Sequence, residues 1–222
     1  MKDYNKEHYF YTDEFKILLD RYERAGSQGE SFYFDPEELT DIAEYYQDRG
    51  NDQKALNAIH HALDIFPGNA APLLFLSRYA LLREDNPEKA TLYAEQIIDK
   101  SDFEYHYLIG EIMLYQNHND KADIYLHQHL HEIEEDDKTD YIYDVSNLFL
   151  DYNDDLLAEK WTEYLADKNG NDHQELLARI YILQEDYEKA ASLLNNLVEA
   201  DPYSAYYWTL LATVQYMQGN IQ

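Results

Sequence analysis

Apolar side chains recur at i, i+3, i+4 and i+7 through one segment of the chain after another, with acids and amides between them. Leu39, Ile42, Ala43 and Tyr46 form one such set, and Leu177, Ala178 and Tyr181 belong to another. This spacing gathers them on one stripe of a helix, and it predicts amphipathic helices throughout. The first is expected to open at Thr12-Asp13-Glu14 and run to about Ala25, with Phe15, Leu18, Leu19 and Tyr22 on its apolar face. A short Gly/Ser linker follows, then the aromatic run Phe32-Tyr33-Phe34. Helix starts are written into Asp35-Pro36-Glu37-Glu38, where Asp35 caps, Pro36 sits in the first turn and Glu38 closes a capping box. Asn86-Pro87-Glu88 repeats that grammar, and Gly50-Asn51-Asp52 and Gly219-Asn220 mark tight turns.

The helical segments themselves repeat. Ala55, Ala90, Ala122, Ala158 and Ala190 occupy similar local sequences at intervals of 35, 32, 36 and 32 residues, a mean of about 34. From Pro36 the order of bulky and small residues runs Leu39, Ile42, Ala43, Tyr46, Ala55, Ile59, Ala62 and Pro67. From Asn171 it runs Leu177, Ala178, Tyr181, Ala190, Leu194, Leu197 and Pro202, with Gln174 departing from it, and from Ala205 it restarts as Trp208, Leu211, Ala212. This order resembles the tetratricopeptide repeat, a helix–turn–helix unit. Three middle units follow it more loosely. Leu73, Leu76 and Ala90 carry the first, with one extra turn residue, and Ile109, Gly110 and Ala122 the second, with His129 where a small residue is expected. Val145, Ser146, Phe149 and Ala158 carry the third.

The resemblance implies an all-α fold, an α-solenoid of helical hairpins wound as a right-handed superhelix. Its domain plan would be a capping helix and aromatic linker over residues 1–35, then about five repeats over 36–222, starting near 36, 70, 103, 139 and 171. A sixth first helix would occupy 205–222. Small residues are needed where the two helices of a hairpin meet, since a large side chain would wedge them apart. Ending on an orphan helix, the chain is expected to be the N-terminal part of a longer array, and its general look suggests a bacterial source.

Composition narrows the function. The 45 Asp and Glu against 17 Lys and Arg give a net charge of −28, a surface that repels phosphate backbones and anionic membranes and draws basic partners. Tyr is abundant, 23 against 8 Phe and 2 Trp, which suits a thin structure where rings are buried close to water. The absence of cysteine removes disulfides, thiolate nucleophiles and Cys-based zinc sites. No secretory leader and no run of about 18 apolar residues is present, which points to a cytoplasmic protein.

Few residues suggest chemistry. His127 and His131 share a helix face with Asp123, a spacing that metal ligands use, but two imidazoles and one carboxylate fall short of a set, and polar fillers in a helix explain them equally well. The stretch from Asp167 to Asp172 resembles a calcium loop only until His173 appears where glycine is required. No nucleophile elbow, P-loop or dinucleotide fingerprint occurs, so neither catalytic residues nor a cofactor is expected.

Carrying over the residues of each first helix that face ligand in tetratricopeptide proteins gives an acidic, tyrosine-rich groove. Its acids are Glu37, Glu44, Asp48, Glu104, Glu111, Asp140, Asp151, Asp172 and Glu175. Tyr107, Tyr115, Tyr143, Tyr206 and Tyr216 are its rings, with Asn147 as a neutral contact and Arg78 and Arg179 as the only bases. The expected function is a non-catalytic scaffold binding a basic or amphipathic peptide or partner helix. Two alternatives stand beside it. One is self-association through the last helix, with Tyr206, Tyr207 and Trp208; the other is a regulatory segment of a larger protein.

Overall fold

The computed structural model describes residues 8–28, 32–168 and 170–219, and these form twelve α-helices, one 3-10 turn and no strand. Numbered in order, α1 is Asp13–Gln28, α2 Pro36–Asp48, α3 Asp52–Ile65, α4 Ala70–Leu82, α5 Pro87–Glu95 and α6 Phe103–Tyr115. They are followed by α7 Asn119–His129, a 3-10 turn Leu130–Glu132, α8 Lys138–Asp151, α9 Asp155–Thr162, α10 Asn171–Leu183, α11 Tyr187–Ala200 and α12 Ala205–Met217. The fold is all-α and built of helical hairpins, as the periodicity predicts. Two compact units, Met1–Leu108 and Ile109–Gln222, divide the chain.

Local chemistry sets where the helices begin. The Asp35 carboxylate accepts from the Glu38 amide at 2.7 Å while the Asp35 amide donates to the Glu38 carboxylate at 3.1 Å, so the expected capping box is present. Asn51, Asn86, Asp154, Asp186 and Ser204 each accept from the backbone amide three residues on. Each such cap is worth about 1 kcal/mol. Thr12 does the same for Phe15, at the predicted start of α1.

Turns between paired helices share one backbone device. Gly50, Asp85, Asn117, Asn153, Glu185 and Gly219 all have φ between 52° and 76°, and each lies two or three residues beyond a helix end. The device recurs at intervals of 35, 32, 36, 32 and 34 residues. Left-handed φ at this position stops a helix and returns the chain. Only the two glycines were visible as turn signals, and Asn220, the second half of one expected turn, lies outside the described residues.

In the N-terminal unit α2 packs on α3 and α4 on α5, while α2 and α3 also meet α4. Phe10, Phe15 and Leu18 join Leu39, Ile42, Ala43, Ala55, Ile59 and Ala62 in one core. Phe34 is buried in it while Tyr33 points to solvent. In the C-terminal unit α8 packs on α9, α10 on α11 and α11 on α12, with α10 also against α8 and α9. Ala122, Ala158, Ala178 and Ala190 are fully buried, as close approach of helices demands. Gly110 takes this to its limit, since a Cβ there would lie 2.8 Å from Leu126 Cδ1.

The middle hairpins depart from the regular pattern for local reasons. α5 and α9 have 9 and 8 residues against 14 for α3 and α11, so less of each second helix needs small residues. His129 ends α7, where the chain passes into the 3-10 turn, and its ring lies 2.9 Å from the Glu132 carboxylate and close to His106 of α6.

A polar knot ties α7 to α9. Asp123 is buried and accepts from Trp161 Nε1 at 2.9 Å and from Lys160 Nζ at 2.6 Å. Asp123 stabilises the Lys160 ammonium and holds its pKa above the usual lysine value.

Three outcomes follow from this packing. Gly110→Leu should lower stability in urea unfolding by about 2–4 kcal/mol and Gly110→Ala by less, because Leu126 must give way while helix propensity improves. Asp123→Ala should cost about 2–3 kcal/mol by stranding the buried indole N–H, and Lys160→Met less than half of that, because Lys160 is largely solvated. The third concerns His173, buried in the first turn of α10, where burial and then Lys168 push its pKa below 6.5 against the opposing pull of Asp167. Below about pH 6.5 the unfolded chain takes up a proton that the folded one resists, so stability falls with pH. Measured from pH 7 to 5, wild type should lose ground relative to His173→Leu.

Candidate functional site

The first helices of the hairpins carry the expected groove residues, and several of them meet. In the N-terminal unit, Arg78 of α4 pairs with Glu104 of α6 at 3.0 Å, and its guanidinium lies 5.8 Å from the ring of Tyr107. Glu44 is half-buried in α2, while Glu37 and Asp48 are exposed near its two ends.

In the C-terminal unit α8, α10 and α12 are linked by side chains. Glu175 of α10 is buried, and its two carboxylate oxygens accept from Tyr143 of α8 at 3.2 Å and Tyr207 of α12 at 3.3 Å. One turn on, Arg179 donates to Asn147 and, at 3.2 Å, to Asp151, both on α8. Asn147 in turn donates to the Tyr143 carbonyl at 3.0 Å. Asp140 and Asp172 stay exposed at the N-terminal ends of α8 and α10.

The tyrosines answer the carboxylate as neutral donors. Burial, then the Glu175 charge, raises the Tyr207 hydroxyl to about 12 and pushes Tyr143 and Tyr206 upward as well. Tyr152, at the end of α8, is raised by burial and then by Glu111 and Tyr115 of α6. Glu111 is buried, so this acid contributes to packing between helices as well as to charge.

Sequence reasoning placed Tyr143, Asn147, Asp151, Glu175 and Arg179 on successive first helices, and these are joined by hydrogen bonds. It missed Tyr152 and the role of Tyr207. Tyr207 lies beside Tyr206 in α12 and reads in the sequence only as a residue for self-association, so only its chemistry as a hydroxyl donor pointed to Glu175. Tyr206 and Tyr216 are exposed.

The weak metal set is taken up in other ways. Asp123 serves Trp161 and Lys160, and the His127 ring packs 5.2 Å from Tyr164 and 5.8 Å from Trp161. His131 is exposed in the 3-10 turn, 3.9 Å from Glu132. In the loop once compared with a calcium site, Asp167 accepts from the Gly170 amide at 3.0 Å, and Asn169 lies outside the described residues.

Residues 172–214, which span most of α10 to α12, match the sequence model of the family described as tetratricopeptide repeat. A tetratricopeptide repeat protein from Parabacteroides merdae ATCC 43184 is similar in structure, with a TM-score of 0.53 and 16% identity, over 83% of this chain and 73% of its own. The structure of pilF from Pseudomonas aeruginosa gives a TM-score of 0.51 and 15% identity, over 95% of this chain and 98% of its own. No curated protein sequence matches the chain. At such identities the structural likeness concerns the fold alone. Tetratricopeptide repeats generally mediate protein–protein interaction. Residues 172–214 are thus similar to a tetratricopeptide repeat, and the helical hairpins before them share the fold of the solved tetratricopeptide repeat protein.

Proposed function

We propose that this protein is a non-catalytic, cytoplasmic scaffold that holds a basic or amphipathic segment of a partner protein against its first helices. In this reading the segment before residue 36 caps the array, repeats begin near 36, 70, 103, 139 and 171, and α12 is the first helix of a sixth. Among the described residues no helix is long and apolar enough to cross a membrane.

One observation carries the reading. Arg78 and Arg179, the only bases among the expected contact residues, are each paired with a carboxylate, Glu104 and Asp151. No guanidinium is thereby left over to clamp the terminal carboxylate of a peptide. Acids and tyrosine rings still face solvent, with Asp140, Asp172 and Tyr206 exposed. Such a face steers basic partners by charge and offers rings for contact area.

Fluorescence anisotropy with labelled amphipathic peptides tests this directly. Lysine- and arginine-rich helical peptides should bind, acidic ones should not, and affinity should fall severalfold between about 50 and about 300 mM NaCl. The double variant Asp140→Lys, Asp172→Lys should weaken binding by about tenfold with helicity unchanged. Equal binding of basic and acidic peptides would sink the reading.

A further inference from the structure

Among the described residues His106, His129 and Glu132 converge: each offers one donor atom to a metal ion, and these atoms lie within 4.8 Å of one another. The set differs from His127, His131 and Asp123, which share a helix face by spacing alone. Periodicity could not bring His106 to the other two, because it stands on a different helix.

Local structure explains the convergence. Gly110 stands where α6 comes close to Leu126 of α7, and His106 lies one turn earlier on the same helix. His129 is the last residue of α7, one turn after Tyr125, whose ring centre is 4.6 Å from that of the imidazole. The chain then tightens into the 3-10 turn, where side chains three residues apart eclipse, so Glu132 comes over His129. His129 Nδ1 and Glu132 Oε2 are 2.9 Å apart. His106 is buried, His129 half-buried and Glu132 exposed, so the set is anchored inside and open to solvent outside.

We propose that these three side chains bind a divalent transition-metal ion, zinc above others, with two imidazoles and one carboxylate as ligands. Donors around a tetrahedral zinc ion, with bonds of about 2.0 Å, stand about 3.3 Å apart. The His129–Glu132 pair is already near that separation, and the ion takes the place of the proton between them. The remaining distances close by rotation of Glu132, whose side chain is 52% exposed. Imidazole donors suit zinc, copper and nickel, whereas calcium and magnesium take oxygen. Three protein ligands leave a fourth position to water. Charge favours a cation here as well: Glu134, Glu135, Asp136 and Asp137 follow directly, in a chain of net charge −28. Once bound, the ion ties the 3-10 turn to α6 and so steadies the segment that leads into α8.

Calorimetric titration of zinc chloride into the full-length, tag-free, chelator-treated chain tests this. It should show one site per chain with a micromolar Kd, and millimolar magnesium should leave that site intact, whereas carboxylates alone would be competed away. His129→Ala and Glu132→Ala should each weaken zinc by at least about tenfold with helicity unchanged. His127→Ala and His131→Ala should bind as the unmodified chain does. Cobalt(II) should give visible absorption that His129→Ala loses. No saturable heat, competition by magnesium, zinc binding unchanged in His129→Ala, or equal loss in His127→Ala would each overturn the proposal. No peptide enters these measurements, so the scaffold reading and the metal site can fail separately.

Discussion

Helix backbones here approach one another only where a side chain is small enough to be passed. Ala43, Ala55, Ala90, Ala122, Ala158, Ala178 and Ala190 are fully buried, and Gly110 sits where even a methyl group would press on Leu126. Around these points Leu, Ile, Tyr and Trp fill the space that the approach creates. Each hairpin has little interior of its own, and α10 therefore packs on α8, α9 and α11 together. Substituting one alanine disturbs an interface shared by neighbouring helices, so its cost spreads beyond a single hairpin.

A chain with so many carboxylates must also keep them from undoing that packing. Much of the balance comes from hydroxyls and single cations held in place between helices. Glu175 takes two tyrosine hydroxyls, Asp123 an indole and an ammonium, and Glu23 the Tyr46 hydroxyl at 2.9 Å. Tyrosine suits this task because burial raises its pKa and keeps it a donor over the whole physiological range. The abundance of tyrosine thus serves the core and the charged face at once.

The sequence spoke most clearly where a residue type has one physical use. The capping box at Asp35 and the start at Thr12 stand as read, because few other arrangements satisfy those amides. The buried alanines stand as well. Residues with several uses were less legible. Phe32-Tyr33-Phe34 reads as one aromatic patch, yet in an extended segment neighbouring side chains point opposite ways, and Phe34 is buried while Tyr33 is not. Glu111 and Glu175 read as acids of a ligand-facing groove, and both are buried. Their partners are far away in sequence, 32 residues for Tyr143 and Glu175, and periodicity carries no record of such pairs.

The left-handed residues after the first helices bear on how such a chain tolerates change. Glycine supplies that conformation at Gly50 and Gly219, but Asp85, Asn117, Asn153 and Glu185 adopt it too. The direction of each reversal thus resides in the main chain, and the side chain at the tip is a minor influence, with a penalty of about 1 kcal/mol for residues other than glycine. Hairpin tips are therefore free to drift in composition while the alanines beneath them are not. Two such proteins can share every bend of the backbone and almost none of the letters at their corners.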